Sequence, residues 1–195
     1  VFTTTIHQRY VRNKRGGIEE FGWIYELQTA TGRLLIRNQA VCTEDGIYLR
    51  LLSNVAGAYV LPDGLTEIGA YAFAGITSMA EIVIPEGVEI IGERAFYNCN
   101  YLNAAALPAS VKEVGDYAFA NCSSLTEASI GGTPLIGRFA FSFCPKLQNV
   151  YFTVQDGWFL AKNAEGESGT AADVSDPAAA AVLLREAGTN CLKHA

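Results

Sequence analysis

Apolar and polar positions in this chain alternate in short bursts that return on a fixed beat. Four bursts share one phrase of apolar, Gly, two variable residues, Ala, Phe. They run Ile68 to Phe73, Ile91 to Phe96, Val114 to Phe119 and Ile136 to Phe141, with Gly69, Gly92, Gly115 and Gly137 spaced by 23, 23 and 22 residues. Such a period is the signature of a solenoid, whose single coils cannot cover their own apolar faces and do so by stacking. Three residues after each Phe stands Ile76, Cys99, Cys122 or Cys144, and three further on Met79, Leu102, Leu125 or Leu147. Apolar spacings of three and four predict about one turn of helix for the Gly-x-x-Ala-Phe-x-x-Cys segment. Short alternating runs recur on the same beat: Tyr59 to Leu61, Ile82 to Ile84, Ala105 to Leu107, Ala128 to Ile130 and Val150 to Phe152. Each reads as a strand with its outer residues turned inward. Pro62, Pro85 and Pro108 end three of them, because proline lacks the amide hydrogen a ladder needs. Five such strands in one parallel ladder span about 20 Å, so the solenoid is short and needs a seal at either end.

The flanks carry different patterns. Gly22 to Leu27 and Arg33 to Arg37 alternate around a turn at Thr29 to Gly32, which predicts a β-hairpin, and a third strand is expected over Gly46 to Leu52 after the turn Glu44-Asp45-Gly46. Beyond the repeats, Asn163 to Thr170 reads as a loop. Asp176 at the N-cap, Pro177 at the first helical position and Gly188 after the last predict a helix near 177–187. Its apolar side, Ala179, Val182, Leu183 and Ala187, is expected to cover the final coil, and Thr189 to Lys193 to return as a strand. The division is therefore 1–54 as an N-terminal β-hairpin and three-strand cap, 55–153 as repeats of 22 to 23 residues, and 154–195 as a C-terminal cap.

Charge narrows the class of partner. The net charge is -6 and only 17% of residues are charged, which disfavours nucleic acid because phosphate binding needs a basic footprint. The imbalance is uneven: residues 1 to 50 carry seven Lys/Arg against five Asp/Glu, and the remainder seven against fifteen. The one basic run, His7 to Arg15, is expected to be a frayed, solvated terminus in preference to a contact for an anionic surface. No apolar stretch approaches the ~20 residues of a membrane helix. With no initiator Met or apolar leader, Val1 reads as the start of a mature or trimmed chain. The cysteine count is odd at five and no C-x-x-C pair occurs, so spacing supports neither a zinc site nor a disulfide scaffold. Three of the five share one repeat position, where parallel side chains are expected to pack as buried thiols.

The phrase strand-Pro, apolar-Gly-x-x-Ala-Phe, Asn-Cys, Leu, seen most clearly in Ile82 to Asn103 and Leu107 to Glu127, resembles the BspA-type leucine-rich repeat family of bacterial surface proteins. The resemblance covers roughly residues 55 to 152; the copy at Gly75-Ile76 lacks the Asn-Cys pair, and the last loses a residue near Thr133-Pro134. It implies a right-handed α/β solenoid, secretion or cell-surface location, adhesion or protein binding, and no catalytic activity of the repeat itself.

Chemistry-bearing residues are sparse. His7 and His194 stand near the termini, and no Gly-x-Ser-x-Gly frame or phosphate loop accompanies them. Glu67, Glu81, Glu86, Glu89, Glu93, Glu113, Asp116 and Glu127 read as a solvated surface in preference to a glycosidase pair, and no Asp-rich calcium loop occurs. No cofactor, metal or catalytic residue is assigned. Two surface columns are the binding candidates. One is the outward strand positions Val60, Val83, Ala106, Ser129 and Tyr151, flanked by Glu81, Ala104, Glu127 and Asn149; the other is Tyr71, Arg94, Tyr117 and Phe139 from the variable pair after each Gly. Aromatic residues and Arg favour protein interfaces, though in the second column they suit scaffold packing equally. The expected function is non-catalytic recognition of a protein or glycan at a bacterial surface. The alternatives are a structural spacer or assembly module of a larger surface protein and, less favoured, a hydrolase with dispersed carboxylates.

Overall fold

The structure is a computed structural model that describes residues 3–12, 18–29, 32–37, 40–43, 45–51, 56–62 and 64–195. Parts of the turns expected at 29–32 and 44–46, residue 52 of the expected third strand and the boundary at 54–55 lie outside the described residues, as do the side chains before residue 41 and those of residues 49–51. The chain opens as an antiparallel meander of β1 (Thr3–Arg12), β2 (Ile18–Thr29), β3 (Gly32–Arg37), β4 (Ala40–Thr43) and β5 (Ile47–Leu51). The expected hairpin is β2 and β3, and the expected third strand is β5. Two strands were not anticipated. Residues 7–12 of the run expected to fray belong to β1, which pairs with β2 from Thr3↔Gln28 to Arg12↔Ile18, while residues 13–15 of that run lie outside the described residues. The four-residue β4, whose Ala-Val-Cys-Thr run offers little alternation, sits between β3 and β5.

Each coil then contributes two strands, where the sequence pattern suggested one. The longer set is β6 (Gly57–Val60), β8 (Met79–Val83), β10 (Ala104–Leu107), β12 (Glu127–Ile130) and β14 (Asn149–Phe152), which make one parallel sheet. The shorter set, two residues each, is β7 (Glu67–Ile68), β9 (Ile90–Ile91), β11 (Glu113–Val114) and β13 (Leu135–Ile136), immediately before the repeated Gly. This ladder continues the meander, because β5 pairs parallel with β7. The result is a β-solenoid of about 4 turns.

The turn of helix expected after each Gly does not form. The main-chain amides there alternate between two kinds of partner. In the first coil Ala72, Ala74 and Ile76 donate to carbonyls three residues back, Gly69, Tyr71 and Phe73, at 3.1–3.2 Å, while Tyr71, Phe73 and Gly75 donate to Glu93, Ala95 and Tyr97 of the next coil at 2.7–3.0 Å. A helix would direct every amide back along its own axis. The alternation requires a left-handed residue at intervals, and Tyr71, Arg94, Tyr117 and Phe139 supply it with φ of 54–59°. Each such non-glycine residue costs about 1–2 kcal/mol, which the bonds between coils and the packing described below offset.

The core consists of columns running along the stack. Tyr48, Phe73, Phe96, Phe119 and Phe141 are fully buried and their rings stack at 4.7, 5.0, 4.8 and 5.1 Å, so the cap's Tyr48 seals the column that the repeats begin. The inward strand residues and the Met79, Leu102, Leu125 and Leu147 column fill the remainder. The repeated Gly marks a close approach between coils. A Cβ built on Gly92, Gly115 or Gly137 would lie 2.6–2.8 Å from main-chain nitrogen in the preceding coil.

At the C-terminal end, β15 (Trp158–Ala161) and β16 (Thr170–Ala171) precede α1 (Pro177–Glu186), and β17 (Cys191–His194) pairs with both β13 and β15, ending the short-strand ladder. Asp176 caps α1 by accepting from the Ala178 amide at 2.9 Å, as the sequence predicts, and Gly188 follows with φ of 59°. The helix packs against β14, but on a different face from the one expected. Ala180, Ala181 and Leu184 are buried, Leu183 and Ala187 are half-buried, and Ala179 and Val182 are exposed. Seven apolar residues in succession after Pro177 leave the phase of the apolar stripe undetermined, and fit against the last coil selects it.

Candidate functional site

The long-strand sheet places its outward residues in a single row. Register pairs Val60 with Val83, Val83 with Ala106, Ala106 with Ser129 and Ser129 with Tyr151. Their inward neighbours Tyr59, Ile82, Ala105, Ala128 and Val150 are buried, so alternation fixes the row outside. Val60 is 58% exposed, Val83 44% and Tyr151 48%, so the row presents apolar surface at three of its five positions; Ala106 is exposed and Ser129 half-buried. A second row of Ala58, Glu81, Ala104, Glu127 and Asn149 runs beside it.

The other predicted column is brought together as well, but against itself. Arg94 Nη1 donates to Tyr71 Oη at 2.7 Å, its guanidinium lies 4.7 Å from the Tyr117 ring centre, and Tyr117 stacks on Phe139 at 4.9 Å. Glu93 completes the arrangement through an ion pair with Arg94. Cation–π contacts of this sort are worth about 0.5–1 kcal/mol at exposed sites. The column thus ties successive coils at their left-handed residues. Of the four, Tyr71 alone is well exposed, at 49%.

Sequence reasoning passed over Phe143. It occupies, in the last repeat, the left-handed position that Gly75, Asn98 and Asn121 hold in the others, and it is 69% exposed. Asn98 Oδ1 accepts from Asn121 Nδ2 at 2.8 Å, an interaction between coils that a Phe cannot extend. The break from Asn-Cys to Phe-Cys in the repeat is the signal that could have found it.

The chemistry-bearing groups are dispersed. Glu89 pairs with Lys112, and Asp116 holds Arg138 through its main-chain amide and Nε at 2.8 and 2.9 Å. His194 packs edge-on to Trp158 with ring centres 5.5 Å apart, while the side chain of His7 lies outside the described residues. Among the described residues no helix is long and apolar enough to cross a membrane.

Cys99, Cys122 and Cys144 remain thiols, donating to the carbonyls of Phe73, Phe96 and Phe119 at 3.1, 3.2 and 3.1 Å. Each is buried and bonds its coil to the main chain of the one before, which accounts for the shared repeat position. Burial pushes the Cys99 thiol from 9.0 up to about 12, and the adjacent Cys144 sulfur together with burial raises Cys122. The unfolded chain releases these protons near pH 9, whereas the fold retains the Cys99 proton to about pH 12. The associated stability is full below pH 9 and is lost as pH rises through that window, by up to about 1.4 kcal/mol per pH unit for one thiol. Urea midpoints measured at increasing alkaline pH are therefore expected to fall, and to fall less steeply for Cys99→Ala. Equal slopes would refute the assignment.

Residues 56–157 match the model of the BspA type leucine rich repeat region in 6 copies, more than half of the chain. The chain belongs to the BspA-type leucine-rich repeat family. A leucine-rich repeat protein of T. pallidum is 31% identical with a TM-score of 0.52, the match covering 58% of this chain and 61% of that one. A leucine-rich repeat protein of Eubacterium ventriosum is 21% identical with a TM-score of 0.53, covering 60% of this chain and 32% of that one, and its likeness concerns the fold alone. The matched part is thus less than two thirds of either relative. No curated protein matches the chain.

Proposed function

We propose that this BspA-type chain is a non-catalytic binding module of a secreted or cell-surface bacterial protein and that it takes a protein or glycan partner on the outer face of the long-strand sheet. The observation that carries the reading is the in-register row Val60, Val83, Ala106, Ser129 and Tyr151, which keeps apolar side chains exposed to water at every strand but the one that bears Ser129. Exposed apolar side chains lined up on the outside of a solenoid cost hydration free energy and gain by being covered. The Tyr71, Arg94, Tyr117 and Phe139 column serves the scaffold in this reading, because its members satisfy one another. The same reading divides the chain into a cap over 1–54, the recognition repeats over 55–153 and a second cap over 154–195.

The purified chain, immobilised and challenged with extracellular-matrix and serum proteins of a host, is expected to retain a partner that Val83→Glu and Tyr151→Ala lose. Retention of nothing, or unchanged retention by both variants, would overturn the reading.

A further inference from the structure

The proposed face is small, and its size bears on what can occupy it. Five strands at ~4.8 Å and four residues of ~3.3 Å each give a flat footprint of about 250 Å², well short of the extent over which each partner in a standard interface between folded proteins buries ~800 Å² of accessible surface. A single segment of chain suits such a surface better than a folded domain.

Its charge is one-sided. The repeats between residues 56 and 153 contain four basic residues against nine acidic ones. Three of those basic residues, Arg94, Lys112 and Arg138, pair with Glu93, Glu89 and Asp116, none of which lies in the long-strand sheet. The charged residues within the five long strands are Glu81 and Glu127 alone. Both are exposed, and neither belongs to those ion pairs. Ala104 stands between them in register, which separates them by two strand spacings, about 10 Å. Apolar positions Val83 and Ala106 lie directly beside them.

We infer that the occupant of this face is an extended polypeptide segment crossing the strands, with Lys or Arg at every third residue and small apolar residues between. The inference rests on the reading of the strand face given above. A chain in the polyproline-II conformation advances ~3.1 Å per residue with three residues per turn, so residues three apart point the same way about 9 Å apart. Two cations on such a segment reach Glu81 and Glu127 together while the residues between them lie along Val83, Ala106 and Ser129, and the segment's continuation meets Tyr151 one strand further on. A glycan of neutral sugars would leave both carboxylates uncompensated.

The probe is a fluorescein-labelled peptide of about twelve residues repeating Lys-Pro-Val, titrated into the full chain and followed by fluorescence anisotropy, with Glu-Pro-Val repeats as the comparison. Binding is expected for the cationic peptide only, weakening as salt is raised and falling roughly three- to tenfold in the double variant Glu81→Gln, Glu127→Gln, whose exposed positions leave the unfolding midpoint unchanged. No binding at millimolar peptide, equal binding of the anionic peptide, or full affinity in the double variant would overturn it. If the cationic peptide fails while Tyr151→Ala still abolishes capture of a host protein, the strand face stands as the partner surface and the basic-segment inference alone falls. If Val83→Glu and Tyr151→Ala both leave capture intact, both fall.

Discussion

Phe96→Ala and Phe119→Ala are each expected to lower the unfolding free energy by about 3–5 kcal/mol, the range for truncating a fully buried aromatic side chain. Both rings are wholly buried and stack on a ring above and a ring below, so each variant loses two stacking contacts and opens a cavity bounded by main chain that the ladders hold in place. Collapse around the cavity is resisted for the same reason, which puts the cost at the upper end of the range. In a solenoid the stability of one coil depends on its neighbours, and a gap in the middle uncouples the coils on either side. Urea unfolding monitored by circular dichroism reads the change as a fall in midpoint, with a lower slope if the two halves separate. A loss below about 1 kcal/mol in both variants would contradict the column as the main packing element.

Gly115→Ala is the second large effect. The residue is not in the left-handed region, so alanine could adopt its backbone angles; the added Cβ would instead meet the Glu93 nitrogen at 2.6 Å and the Gly92 carbonyl carbon at 2.8 Å. Neither neighbour is a side-chain end that could swing aside, since both belong to the preceding coil's main chain. Overpacking of this kind costs about 1–3 kcal/mol, and more where the surroundings cannot move. Gly75→Asn makes the contrast. That glycine has φ of 76° with open space where a Cβ would stand, and Asn98 and Asn121 already occupy the equivalent position. Its midpoint is expected to stay near that of the parent, and equal losses in Gly75→Asn and Gly115→Ala would refute close coil contact as the reason for the repeated glycine.

What the sequence made legible was whatever repeats with a chemical reason. The long strands, their inward and outward sides, the capped helix at Asp176-Pro177 and the buried thiols all follow from alternation, proline placement or repeat register. The errors fell where periodicity has two physical meanings. Apolar spacings of three and four arise in a helix, and they arise equally in a run of tight turns whose alternate amides bond to the next coil. Nothing in Ala70-Tyr71 or Glu93-Arg94 announces a left-handed residue, because Tyr and Arg reach that region only when neighbouring coils hold them there. The two-residue strands are too short for any pattern. For β1, the charges of the basic run masked the alternation that pairs it with β2.

The candidate site divided along the same line. Outward strand positions were identifiable from alternation alone, and the structure puts them in one row. The second column needed coordinates, since only the stacking of Arg94 between Tyr71 and Tyr117 reveals that its surface is already engaged.

The account holds that residues repeated from coil to coil serve packing and that a partner is read by the strand face. Parallel capture of host proteins by the parent chain, Val83→Glu and Arg94→Ala, all folded by circular dichroism, tests that division most directly. Loss of the partner by Val83→Glu with retention by Arg94→Ala is the predicted result; loss confined to Arg94→Ala would contradict it.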